Sequence, residues 1–162
     1  MSVMEIDEAL DLGVGLGEEI GISRWFDVTQ EAINEFGHCT EDMDIAHIDP
    51  EWATAKGPFG QAIAFGFWTL SMMTAMNEDI GLFHRVMANY KNAYPINYGV
   101  NKVRFISQVP VGKRIRMKSS LKNVERKGEA SHLITIMCEI EIEGEPRLAL
   151  AADWLFVLVL KN

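Results

Sequence analysis

The fold is decided by the stretch FGFWTLSMMTAM, residues 65–76. If this stretch forms a helix, apolar side chains lie on nearly every side of it, among them Phe67, Trp68 and Met73. A helix that is apolar all round has to be surrounded by protein. Glycine, serine and threonine interrupt the stretch, and it is shorter than the roughly 20 apolar residues that cross a bilayer. It therefore predicts a buried central helix in a globular fold and no membrane span.

Downstream of this helix, the sequence predicts four long strands, at about residues 100–109, 114–122, 133–143 and 148–160. Basic and apolar residues alternate in the second strand, with the period of two that is typical of a strand with one face in water. Turns that contain glycine and proline separate the strands. Such short turns can join only antiparallel neighbours, because parallel strands need long crossover connections.

Upstream of the helix, residues 21–28 alternate and predict a fifth strand, and Thr29 caps a helix that follows it. Residues 77–98 are expected to form an irregular connection that could include a helical turn. Together these elements predict an α+β fold in a single domain, residues 1–162, with a long buried central helix wrapped by a curved antiparallel sheet of about five strands. Because the last strand is apolar on both faces, we expect another subunit of a homodimer to cover its second face.

Composition restricts the classes of function. Hydrophobic residues make up 48% of the chain and charged residues 23%, the balance of a globular domain. A net charge of −8 argues against nucleic acid as a partner. Cys39 and Cys138 are too few for a disulfide framework, so we expect two buried, inert thiols in a reducing cytoplasm. The first residues, MSVMEIDEALDLG, lack the basic region and apolar run of a secretory signal.

A second stretch, EDMDIAHIDPEWA at residues 41–53, gathers acidic side chains around one histidine. It is not a calcium loop of the EF-hand type, because His47 and Ala53 occupy the positions that need glycine and glutamate. No recognised zinc spacing links His38, Cys39 and His47. We therefore predict no metal site.

The same stretch contains the best candidates for proton transfer. Asp42 and His47 lie on one predicted loop, and a carboxylate and an imidazole about 3 Å apart can share proton transfers. The alternative is a loop that is simply solvated. In either case we expect Asp49 to cap a short helix that Pro50 opens.

Gly66 lies where the predicted central helix begins. A backbone N–H group at the start of a helix has no partner within the helix, and a glycine lets another atom approach the backbone closely. This N–H could hold the oxygen of a polarised carbonyl, as in an oxyanion hole. The alternative is that Gly66 only lets a strand pass close to the helix.

Basic residues are concentrated in one segment. Nine of the fifteen lysines and arginines fall between positions 102 and 127, where only Glu125 opposes them. Such a segment could bind a phosphorylated small molecule, and it could also be the solvated face of a strand.

Three motifs occur in the order Asp42-x4-His47-Ile48-Asp49-Pro50, then PFGQAIAFGFWTLSMM, then INYGVNKVRFISQVPVGKRIR. In this combination they resemble the MaoC-like dehydratase family, which includes (R)-specific enoyl-CoA hydratases and nodulation-protein-N-like members. The resemblance extends over residues 23–160. It implies the hotdog fold, in which an antiparallel sheet wraps around a long helix, and a dimeric assembly.

The resemblance also implies roles for individual residues. Asp42 and His47 match the family's catalytic dyad, and Gly66 matches the glycine whose N–H binds the thioester carbonyl. Phe65 stands where many members have histidine, which affects the shape of the pocket. The remaining residues expected at the substrate site are a helix hydroxyl that supports the dyad, Ser71 or Thr74, and three residues near the site or the dimer seam, Tyr98, Asn101 and Arg104. For these last three, the alternative is a structural role.

The activity implied by the resemblance is that of a hydro-lyase of fatty acid metabolism. Such an enzyme, an enoyl-CoA hydratase or 3-hydroxyacyl-CoA dehydratase of R specificity, adds water across a trans-2-enoyl thioester. It needs no metal and no cofactor, because coenzyme A is part of the acyl-CoA substrate, whose phosphates could meet the basic segment. Two other functions stay open, a hotdog acyl-CoA thioesterase and a non-catalytic acyl-CoA-binding protein.

Overall fold

The computed structural model describes residues 13–90, 92–128 and 131–160. Its helices and strands follow one another as β1 (Glu19–Ile22), β2 (Phe26–Asp27), α1 (Gln30–Thr40), α2 (Ile45–Ile48), α3 (Pro50–Ala55), α4 (Gly66–Ile80), α5 (Leu82–Asn89), β3 (Ala93–Phe105), β4 (Arg114–Arg126), β5 (Ser131–Ile142) and β6 (Leu148–Leu160). Within these ranges, every helix is too short or too polar to cross a membrane.

All six strands belong to one antiparallel sheet, in the order β1-β4-β5-β6-β3, with β2 also paired to β4. The predicted α+β architecture is confirmed, with one strand more than expected. The segment predicted as a single strand at residues 21–28 forms two short strands. The Ser23 hydroxyl accepts a hydrogen bond from the Met117 N–H at 3.0 Å, so a side chain interrupts the backbone ladder there.

Between α4 and the middle of β3 the chain is more regular than the sequence predicted. Helix α5 buries Leu82 and Val86, one turn apart, in the core. Strand β3 then begins at Ala93 rather than near residue 100 and pairs with β6. Pro95 fits in this strand because β3 is an edge of the sheet, where a missing N–H breaks no second ladder.

The core lies between α4 and the inner face of the sheet. Trp68, Met73 and Met76 of α4 are buried in it. Every second residue of β5 faces them, as the alternation predicts, namely Ile134, Ile136, Cys138, Ile140 and Ile142. Burying one such large apolar side chain stabilises the fold by about 1.5–3 kcal/mol.

Helix α4 is not enclosed on every side within the chain. Phe67, Ser71, Thr74 and Glu78 recur every three or four residues and form one exposed stripe, in which the Phe67 ring is 70% exposed. An open sheet covers only one side of a helix, so the expectation that protein surrounds this helix is not met by one chain.

The second face of β6 is better covered than its sequence predicted. Asp153 and Leu155, on that face, are only 7% and 9% exposed. Large apolar side chains are exposed on the edge strand instead, at Tyr94, Ile96 and Tyr98 of β3. Apolar surface that a second subunit would cover therefore lies on β3 and at Phe67 of α4, and not on β6.

The two thiols differ in their surroundings. Cys138 of β5 is buried, and burial, followed by the negative charge of Asp153, raises the pKa of its thiol to about 12. It therefore stays protonated and unreactive at neutral pH. Cys39, near the end of α1, is exposed. The prediction of two buried thiols was wrong for Cys39.

Candidate active site

The chain between α1 and α3 is organised by its own aspartates. The Asp44 carboxylate accepts a hydrogen bond from the Ala46 N–H at 2.8 Å and caps α2. The Asp49 carboxylate accepts one from the Trp52 N–H at 2.9 Å and caps α3, as predicted. The carboxylates of Asp44 and Asp49 are therefore used to cap backbone N–H groups. Across the described ranges, no three histidine, cysteine, aspartate or glutamate side chains are grouped as metal ligands.

Asp42 lies in the turn that leads from α1 to α2. Its Oδ1 accepts one long hydrogen bond, 3.4 Å from the Asp44 N–H, and the residue is exposed. The turn packs closely on α1, since a Cβ atom at Gly37 would lie 2.9 Å from the Asp42 carbonyl oxygen. Gly37 thus allows the turn to pack directly against α1, and this contact fixes the position of the Asp42 backbone.

His47 of α2 is held from three directions. Its Nδ1 lies 2.8 Å from the Ile63 carbonyl oxygen, which can only accept, so Nδ1 carries a proton and donates it. In a neutral imidazole this leaves Nε2 as a hydrogen-bond acceptor. The Gln30 amide donates to the His47 carbonyl oxygen at 2.8 Å. The Phe65 ring packs against the imidazole with 4.0 Å between ring centroids.

Helix α4 begins at Gly66 without a capping side chain, because its N-cap residue is Phe65. Among the residues that the structure describes, none accepts a hydrogen bond from the Gly66 N–H. Unpaired N–H groups in a first helical turn carry a partial positive charge, which over the whole helix amounts to about half an elementary charge. An oxygen that gains negative charge is stabilised at such a helix start.

His47 and Gly66 line the same cavity, which has a volume of about 230 Å³. The rest of its wall comes from the segment before α4, from α4 itself, from the end of β3 and the chain after it, and from β6: Ile63, Ala64, Thr69, Phe105, Ser107, Gln108, Val109 and Ala149. The structure thus brings two of the three predicted catalytic residues together. The third, Asp42, is not part of the wall.

Three further predicted residues also lie outside this wall. Phe65 is buried behind the imidazole and does not face the cavity. Ser71 and Thr74 lie on the exposed stripe of α4, where their hydroxyls donate to helix carbonyls at 2.8 and 2.9 Å. Thr74 lines a different cavity, of about 240 Å³, that α4 forms with β3 and β6.

The predicted residues on β3 are exposed and stand apart from the cavity. The Lys127 Nζ lies 3.7 Å from the centroid of the Tyr98 ring. Arg104 donates to the carbonyl oxygen of its neighbour Val103 at 2.7 Å, and Asn101 pairs in register with Asp153. Any role of these residues toward a substrate stays a prediction.

Sequence reasoning missed three polar residues of the cavity wall. Thr69 is buried one turn after Gly66, and its hydroxyl donates to the Phe65 carbonyl oxygen at 3.1 Å. The spacing from Gly66 is a signal that could have indicated it, since residues three apart share a helix face. Ser107 and Gln108 follow β3 in an irregular segment, where no local pattern indicates which side chain points to the cavity.

The basic face of β4 is matched by acids on its neighbours. Arg116 pairs with Glu141 at 2.7 Å, and Lys118 lies 3.6 Å from Glu19. Arg114 and Glu143 form a further pair, whose hydrogen bond, reinforced by charge, raises the pKa of the guanidinium and lowers the pKa of the carboxyl. These charges already have partners, which favours the interpretation of the basic segment as a solvated face.

The comparisons with known proteins agree with this architecture. The (R)-hydratase from A. caviae involved in PHA biosynthesis superposes with a TM-score of 0.67 at 18% identity, over 91% of this chain and 98% of that chain. A helix wrapped by a curved antiparallel sheet is the hotdog fold, so the predicted fold is confirmed.

The chain belongs to the family of the MaoC like domain, which matches residues 13–140. It is 40% identical over 147 residues to 3-hydroxyacyl-thioester dehydratase Z of Mycobacterium tuberculosis, covering 91% of this chain and 93% of the relative. It is 36% identical over 148 residues to Nodulation protein N of Rhizobium leguminosarum bv. viciae, covering 91% and 89%. The predicted family is confirmed, and with it the enzyme class, a hydro-lyase.

Proposed function

We propose that this protein hydrates trans-2-enoyl thioesters to 3-hydroxyacyl thioesters and catalyses the reverse dehydration. One observation carries the proposal: the His47 imidazole and the uncapped start of α4 line one cavity. A base and a polarising donor on opposite sides of a small space are what this addition needs. The likeness to a 3-hydroxyacyl-thioester dehydratase at 40% identity supports a thioester substrate.

In this proposal Gly66 stabilises the charge that develops on the substrate. The oxygen of water forms a bond to the β-carbon, and the electrons of the double bond move through the α-carbon onto the thioester oxygen. The Gly66 N–H donates to that oxygen as it becomes an enolate. Removing one such donor from an enzyme typically costs about 2.7–4 kcal/mol of barrier.

His47 and Asp42 manage the protons. The water donates a hydrogen bond to Nε2 of His47, the acceptor that the bond to Ile63 leaves. Asp42 lies outside the cavity wall, and its match to the family's dyad is the ground for assigning it as the second group that orients the water. The pair takes one proton from the water and returns one to the α-carbon, so H and OH are added in total. Because the two groups would titrate as a pair, the roles belong to the dyad and not to either residue alone. The step uses no metal and no redox cofactor.

The test is hydration of crotonyl-CoA, followed by loss of enoyl absorbance together with an assay for free thiol. We expect absorbance loss without thiol release and an (R)-3-hydroxy product. His47→Gln and Asp42→Asn should each lower kcat by about 10²–10⁴-fold with unchanged circular dichroism. His38→Gln, an exposed histidine in α1, is the matched control and should keep wild-type turnover.

Other outcomes of the same assay identify the rival functions. Stoichiometric thiol release means a thioesterase. Tight binding of crotonyl-CoA without turnover, unaffected by Asp42→Asn and His47→Gln, means a non-catalytic acyl-CoA-binding protein. Full turnover in both variants would show that the dyad is wrongly assigned.

We also propose a homodimer formed through the edge strand β3. Tyr94, Ile96, Tyr98 and Val100 are each at least 40% exposed on this strand. Its free edge can continue the sheet into a second copy, which would bury them. Sedimentation should report a dimer, and Ile96→Asp should shift it to monomer, whereas Phe59→Asp at another exposed apolar position should not. A wild-type monomer at micromolar concentration would refute this.

A further inference from the structure

One aromatic ring is part of the cavity wall, that of Phe105. Phe105, the last residue of β3, lines the cavity together with His47 and Gly66. A Cβ atom built on Gly66 would lie 3.1 Å from two atoms of the Phe105 ring. The ring therefore lies directly against the first residue of α4, where the proposed thioester oxygen binds.

The backbone of β3 determines the direction of the Phe105 side chain. The pairing of β3 with β6 shifts register between Asn101 and Arg104, and Lys102 adopts a left-handed φ of 53° there. Pairing resumes at Arg104 and ends with Phe105 opposite Leu150. Such a bulge redirects the side chains that follow it. The ring then packs edge-on against Phe67, with 5.9 Å between centroids at an interplanar angle of 69°.

Phe105 does not belong to the core that stabilises the fold. It is 51% exposed and is not a member of the buried cluster around α4. Packing of the interior therefore does not explain a large aromatic ring at this position. It faces the cavity and contacts Gly66 and the more exposed Phe67.

Two polar residues of the wall, which follow Phe105 in the chain, connect the cavity with a neighbouring depression. Ser107 and Gln108 line the cavity and also line a neighbouring depression of about 250 Å³ that includes Arg147. A carrier arm with amides and phosphates finds hydrogen-bond donors in this depression at Gln108 and Arg147. The hydrocarbon end of a thioester bound in this direction faces the rest of the cavity wall, whose apolar residues include Phe105.

We infer that Phe105 is a specificity-determining residue that limits the length of the acyl chain, so that the preferred substrates are short-chain enoyl thioesters. This inference rests on the proposed hydratase function. The cavity of about 230 Å³ is smaller than the roughly 300–1,000 Å³ of typical small-molecule pockets, which agrees with a short acyl group.

The test compares kcat/KM for trans-2-enoyl-CoA substrates of four and ten carbons in the wild type, Phe105→Leu and Phe105→Ala. The wild type should prefer the four-carbon substrate. Phe105→Ala should raise the ten-to-four ratio by at least about tenfold, and Phe105→Leu by less, since pocket size is typically worth 10–200-fold per group. Phe59→Ala, another half-exposed phenylalanine that is not in the cavity wall, is the matched control.

A readout that needs no turnover separates this inference from the proposed function. Calorimetric binding of butanoyl-CoA and decanoyl-CoA, both saturated, should show the same shift in Phe105→Ala. If no variant hydrates an enoyl thioester but the binding ratio shifts, the hydratase proposal fails and the role of Phe105 stands. An unchanged ratio in both assays, a similar shift in Phe59→Ala, or no binding of either thioester would overturn the inference.

Discussion

Two regions of this molecule look similar in the sequence and behave differently in the structure: the start of α4 and the outer face of β4. Each offers groups that a substrate with an oxygen or a phosphate could use. At the start of α4, the Gly66 N–H has no acceptor among the described residues, and α4 has no capping side chain. On β4, Arg114, Arg116 and Lys118 each pair with an acid. These acids lie on the neighbouring strands or, for Glu143, directly after β5.

The difference concerns where hydrogen-bonding capacity is already used. A charge that is paired across a sheet gains little from a ligand, because the ligand has to displace the partner first. An unpaired donor inside a small cavity loses nothing when a substrate oxygen arrives, and it acts where water is partly excluded. Unsatisfied polar groups, and not the density of charge, therefore indicate the site.

The strongest test of the comparison removes the donor at the start of α4. Gly66→Pro eliminates the N–H, whereas proline is well tolerated at the first position of a helix and fits the extended conformation of Phe65. We expect kcat for crotonyl-CoA to fall by about 10²–10³-fold. Gly66→Ala adds the same Cβ against Phe105 and keeps the N–H, so it is the matched control. Equal losses in the two variants would mean that crowding, and not the donor, is responsible.

Substitutions on the outer face of β4 should change the free energy of unfolding. Lys122 Nζ donates to both oxygens of the buried Asp153 carboxylate at 2.7 and 2.6 Å. Lys122→Met keeps the apolar stem and leaves that carboxylate without its closest partner, so the free energy of unfolding should fall by about 1–3 kcal/mol in denaturant titrations. Lys118→Met breaks an exposed pair and should change it by no more than about 0.5 kcal/mol. Similar changes in the free energy of unfolding of the two variants would contradict the distinction between a buried and an exposed ion pair.

A smaller effect is expected where the fold positions His47. Gln30→Leu removes the donor to the His47 carbonyl oxygen and should lower kcat about tenfold, ~1.4 kcal/mol of barrier, with little change in KM. Asn34→Ala removes only the other partner of the Gln30 amide and controls for loss of the helix contact. If the two variants lose activity and thermal stability in parallel, Gln30 is a structural residue only.

The smallest effect is expected on the charged ladder of β4. Arg116→Gln removes a guanidinium that pairs with Glu141 and lies over the Trp25 ring, 4.5 Å from its centroid. Because this charge already has partners, KM for crotonyl-CoA should be unchanged within experimental error in steady-state assays. A marked rise in the KM of Arg116→Gln over that of the wild type would show that β4 contacts coenzyme A and that the comparison is wrong.

Much of the architecture could be read from local patterns. The alternation along β4 and β5 predicted which residues are buried, and the short turns predicted antiparallel pairing, because a strand has a period of two whatever surrounds it. Helix α5 was missed although its apolar residues recur with helical spacing, because eight residues contain little more than two turns of the pattern. The start of β3 was missed because an exposed edge strand leaves a weak periodic signal. The break at Ser23 was invisible, since it depends on a bond to Met117 in a distant strand.

The candidate site also contains residues that the sequence predicted and residues that only the structure identified. The order of motifs in the sequence was enough to single out Asp42, His47 and Gly66, and the cap at Asp49 followed from local chemistry, because capping involves only neighbours along the chain. Only the tertiary structure decided that Thr69, Phe105 and Gln108 share a wall with His47, and that the arginines of β4 are paired. Cavity walls and cross-strand ion pairs join residues far apart in sequence, so no local pattern contains them.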